Sequence, residues 1–110
     1  MEKVKIQQGD CILFEVANIP KAAKRVELRG NSFIVLRGEG VNTHELQSAT
    51  LAGDIEAYMD GDTLYLKAKK DTPLVHQEHG TTIIEGGSVL GRRIEREFDY
   101  ESMEARNVQD

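Results

Sequence analysis

The chain has 110 residues, 39% hydrophobic and 30% charged, with 19 acidic against 14 basic side chains and a net charge of −5. That length holds one modest core and not two, and the acidic balance lacks the basic face that phosphate contacts to nucleic acid require. A lone cysteine excludes an internal disulfide, and no apolar run approaches the length of a membrane helix.

The N-terminal stretch MEKVKIQQGD has no apolar segment of the signal-peptide kind, so a cytoplasmic location is expected. Val4 to Gln7 and Cys11 to Val16 are predicted strands, separated by the turn residues Gly9 and Asp10. Cys11 lies in the apolar run CILF, where a buried, unreactive thiol is expected. Ile19-Pro20 ends the second strand, and KAAKRV leads into VELR. Arg29-Gly30-Asn31-Ser32 is predicted as a hairpin turn into the run FIVLR, which Gly38-Glu39-Gly40 interrupts.

The hairpin signal is clearest in IEAYM-DGD-TLYLKAK. Leu64, Leu66 and Ala68 alternate with Tyr65, Lys67 and Lys69, the period-two pattern of a half-buried strand. Asp71-Thr72-Pro73 breaks the chain before LVH, then TTII follows, then Gly86-Gly87. In SVLGRRIEREFDY the spacing of Leu90, Ile94 and Phe98 suits a helix, but the same even-numbered set suits a long strand; the preceding glycine pair favours strand. About eight short strands with few aromatics imply an all-β domain, one small antiparallel sandwich or barrel over residues 1–100, with a polar tail at 101–110.

The chemistry-bearing candidates are the three histidines. His76 and His79 flank Glu78 in HQEH, and His44 with Glu45 lies on a separate segment after the glycines at 38 and 40. Imidazoles and carboxylates converging from different elements are what a divalent transition metal takes as ligands, so His44, His76, His79, Glu78 and Glu45 form a candidate metal set. In a continuous strand His76 and Glu78 would share one face and His79 the other, so the set requires the strand to end near Gly80. The competing reading makes all three histidines polar strand-end residues bonded to their neighbours. Nucleophilic catalysis has no support: Ser32, Ser48, Ser88 and Ser102 lack nucleophile-elbow glycines. Gly38-Glu39-Gly40 lacks the lysine of a phosphate loop. Arg92, Arg93 and Arg96, interleaved with Glu95, Glu97, Asp99 and Glu101, are expected to form a solvated strand face paired with these acids, with an anion site as the alternative.

Taken together, QQGDCILFEVANIP, the GEG segment before His44, DGDTLYL, LVHQEHG and RRIEREFDYE resemble, in the same order and over nearly the whole chain, an uncharacterised group of small phage and bacterial proteins. Where those proteins carry Gly-His-x-His in the central turn, this chain has Asn42-Thr43-His44-Glu45, so Glu45 or Thr43 would have to replace the missing imidazole. A looser similarity to cupins, β-barrels with histidine-held metals, implies a barrel or sandwich. The resemblance implies a phage-related or bacterial accessory or interaction domain, in the host cytoplasm if phage-encoded. Its exposed strand edges would pair with a second copy or another protein. The alternative is a metal-dependent, cupin-like enzyme acting on a small molecule.

Overall fold

The computed structural model describes residues 3–37 and 42–93. Among these residues the chain forms strands β1 (Lys3–Gln8), β2 (Cys11–Glu15), β3 (Lys24–Val26), β4 (Ser32–Arg37) and β5 (Thr43–Gln47), then one short helix α1 (Leu51–Asp54). It continues with β6 (Ile55–Asp60), β7 (Thr63–Ala68), β8 (Thr72–His76), β9 (Thr82–Ile84) and β10 (Val89–Arg93). They build two sheets, one ordered β1-β2-β10-β7-β6-β3 and the other β4-β5-β8-β9. Every pairing is antiparallel. The architecture is a small all-β sandwich, as the turn spacing implied.

Two hairpins follow local turn chemistry. Gln8 pairs with Cys11, which leaves Gly9 and Asp10 as the connection, with Gly9 at φ +59°. Asp60 pairs with Thr63 around Gly61, at φ +62°. Side chains disfavour this left-handed region, so glycine occupies both positions. In β7 the expected alternation is realised: Leu64, Leu66 and Ala68 are buried while Tyr65 and Lys67 face outward.

The hairpin expected at residues 29–32 does not form. β3 pairs with β6 and β4 pairs with β5, so this segment carries the chain from one sheet to the other. Gly30, at φ +71°, does reverse the backbone; turn residues report the reversal and not which strand receives the chain. Helix α1, which no periodicity announced, places Leu51 in the core. Asp54 holds it by accepting hydrogen bonds from Ser48 Oγ (2.6 Å) and Thr50 Oγ1 (2.9 Å).

Between the sheets lie Leu13, Leu46, Leu51, Ile55, Leu64, Leu66, Leu74, Ile84 and Leu90, each 2% exposed or less. At roughly 1.5–3 kcal/mol per fully buried aliphatic side chain, this layer is the main source of stability. β10 sits between β2 and β7, so the strand reading of SVLGRR holds through Arg93. The rest of that predicted strand and the tail at 101–110 lie outside the described residues. Among the described residues no helix is long and apolar enough to cross a membrane.

Candidate functional site: a histidine stack at one end of the sandwich

β5 and β8 are neighbours in the smaller sheet, and their register sets His44 directly opposite His76. His44 shares the inner face of β5 with Leu46 and is completely buried; His76 is 8% exposed. The two ring centroids are 4.2 Å apart with the planes tilted by 36°.

β8 then stops, and this decides how HQEH is used. The Nδ1 atom of His76 accepts hydrogen bonds from the backbone N–H groups of Glu78 (3.0 Å) and His79 (3.2 Å). The side chain thus supplies acceptors for the turn that follows its own strand, as Asn and Asp side chains do in tight turns. This bend folds His79 back onto His76, with centroids 4.6 Å apart, and leaves it 6.3 Å from His44. HQEH is therefore a strand end followed by a turn, and the three imidazoles form a stack.

The stack is tied to the other sheet through the β1–β2 hairpin. His44 Nδ1 lies 2.8 Å from Gln8 Oε1, and His44 Nε2 lies 2.8 Å from Asp10 Oδ1. Gln8 has no freedom to turn its amide around, because Nε2 donates to the carbonyls of Leu74 and Gly80, both at 2.8 Å. Its oxygen therefore faces the ring, and His44 donates at Nδ1. At Nε2 the ring meets a carboxylate, an acceptor once ionised, and the hydrogen bond from His44 holds the Asp10 carboxyl below its ordinary value. For His76, burial first, then the neighbouring His44 and His79, push the pKa below 6.5.

The fold thus brings His44, His76 and His79 together from three places in the chain. Glu45 accepts a hydrogen bond from Thr43 Oγ1 (2.5 Å), and Glu78 is exposed. Among the described residues no group of three or more His, Cys, Asp and Glu side chains is arranged to hold a metal ion. Both nitrogens of His44 already face protein oxygens, and Nδ1 of His76 is taken by the turn N–H groups.

From sequence Asp10 was read only as a turn residue, and Gln8 lay beyond the predicted strand Val4 to Gln7 with no role. The signal was present in the parity of Ile6 and Gln8, which carries the glutamine to the inner face at the end of β1, where it is 3% exposed. Arg92 corrects a second expectation. It is 8% exposed and shares the inward parity of Leu90, so it does not belong to a solvated arginine face. Cys11 is fully buried as expected, and burial pushes its thiol up to about 12. A depression of about 400 Å³ lined by residues that include Pro20, Lys21, Tyr58 and Lys67 takes in none of the histidines.

The family model described as Domain of unknown function (DUF8820) matches residues 7–93. No curated protein matches the chain, and no solved structure does.

Proposed function

The chain belongs to the DUF8820 family. We propose that it is an interaction domain that pairs an extended strand along the flank formed by β1 and β9. The observation that carries this reading is where its exposed apolar surface lies. Among the described residues the large hydrophobic side chains left exposed are Val4 and Ile83, each at 49%. Val4 is on β1 and Ile83 on β9, the edge strands of the two sheets.

An edge strand offers a row of unpaired N–H and C=O groups, and an incoming strand gains main-chain hydrogen bonds there while alternate side chains select it. β1 offers six residues for this, with Val4 between Lys3 and Lys5. The lysines disfavour indiscriminate pairing and suit an acidic partner strand. The partner is a second copy or another polypeptide, in an accessory role of the phage-related or bacterial kind that the sequence resembles, acting in the cytoplasm. Light scattering on the full chain, followed by Val4→Lys and Ile83→Lys, tests it. Assembly or partner capture should be lost in both variants with thermal stability retained. A wild-type monomer that captures nothing, or variants that assemble like wild type, would overturn it.

The metal-dependent alternative draws its support from the gathering of His44, His76 and His79. It would require His44 to release Gln8 or Asp10, His76 to bind through Nε2, and Glu45 or Glu78 to complete the set. Elemental analysis of the purified protein separates the two: stoichiometric zinc, iron, manganese or nickel favours the metal reading.

A further inference from the structure

Arg92 stands apart from every other charged group described. It lies on β10 opposite Leu64 of β7, and Arg93 lies opposite Thr63 at the Gly61-Asp62 turn. Its inward parity, shared with Leu90, drives the side chain between the sheets, where it is 8% exposed. The Nε and Nη1 atoms are buried and make no hydrogen bond. A guanidinium remains charged at any ordinary pH, so it cannot shed the cost of burial by neutralising. Buried donors without acceptors are rare in folded proteins because each forfeits its hydration with nothing in return.

The surroundings do not neutralise it. The neighbouring Cys11 thiol is pushed up to about 12 by burial and stays uncharged. The Asp62 carboxylate raises the Arg92 pKa, but by less than burial lowers it.

We infer that Arg92 anchors an oxyanion-binding site, in which a phosphate or carboxylate group reaches the inner face of β10 from the Gly61-Asp62 end and accepts hydrogen bonds from Nε and Nη1. Arginine suits this role because its planar fork matches both anions.

The test is thermal unfolding of the full chain with inorganic phosphate, with malonate, and with chloride at matched ionic strength. Once phosphate or malonate stands several-fold above its dissociation constant, the wild-type midpoint should rise by roughly 4–8 °C over chloride. The anion giving the larger shift names the ligand class. Arg92→Met should lose the anion-specific rise, and in chloride it should melt no lower than wild type, since an unpaired buried charge has been removed. Should that variant fail to fold, a wild-type NMR titration serves instead: the Arg92 Nε–Hε resonance should move saturably with the anion. Equal responses of wild type and Arg92→Met, or a resonance that does not move, would overturn the inference.

Discussion

Gly9 lies so close to the imidazole of His79 that a Cβ on residue 9 would overlap the ring, 2.6 Å from its Cδ2. The same glycine has φ +59°, a region that side chains enter at a cost. Gly9→Ala therefore carries a backbone penalty and a steric one, together about 1–3 kcal/mol in urea unfolding. His79→Ala removes only the second. In the double variant the alanine should cost less than it does alone, by the steric share. An alanine penalty of equal size in both backgrounds would mean that the turn and the ring are not packed as described.

His44 links two sheets through two hydrogen bonds, and its loss should be felt mostly on one side. Asp10 is 61% exposed and returns to water, whereas Gln8 is buried and cannot. His44→Phe keeps a ring of similar shape but strands Gln8 Oε1, and should cost about 1–3 kcal/mol. Gln8→Leu strands the carbonyls of Leu74 and Gly80 as well. Because the residues share one network, the double variant should fall short of the sum of the singles.

Glu56 governs a separate part of the acid response. The Lys69 ammonium at 2.9 Å, and then the Tyr58 hydroxyl at 2.8 Å, hold its carboxyl at about 2 against an ordinary 4.5. Its folded value lies below its unfolded value, so its contribution is complete above pH 4.5 and disappears as the pH falls towards 2. Glu56→Gln should be less stable than wild type near neutrality, with the gap closing across that window. A gap that stays constant with pH would assign the loss to packing.

How much of this could be read in the sequence depended on whether the signal was local. The β6–β7 hairpin was legible because Gly61 and the alternation of Leu64, Leu66 and Ala68 lie within one short window. The gathering of the histidines was legible from chemistry, since each flanks a turn. The mode of contact was not. Whether His76 and His79 share a face depends on where β8 stops, and it stops because the His76 ring takes the N–H groups of the next residues. The partners Gln8 and Asp10 come from a hairpin in the other sheet, which no spacing within HQEH reports. Arg92 was misjudged for a related reason: its charged neighbours in sequence suggested solvent, while the parity it shares with Leu90 places it inside.

The same stack sets the last expectation, a stability that declines below neutrality through His76. The groups facing this ring are His44 from β5, His79 and Glu78 from the following turn, and Asp10 from the β1–β2 hairpin. Burial and the two imidazoles lower its pKa from 6.5 more than the two carboxylates raise it. The unfolded chain therefore takes up a proton at this position before the folded chain does. The stabilising contribution is complete above pH 6.5 and is lost as the pH falls through the lower folded value. Structure explains the direction: Nδ1 is the acceptor of the neutral ring, so the added proton goes there, displacing the N–H groups of Glu78 and His79 and setting a cation against the stack. His76→Asn is the informative variant, because its side-chain oxygen can take over the turn hydrogen bonds and does not titrate. Denaturant midpoints measured from pH 7.5 down to 5 should fall for wild type and change less for His76→Asn. Parallel curves would remove His76 as the cause.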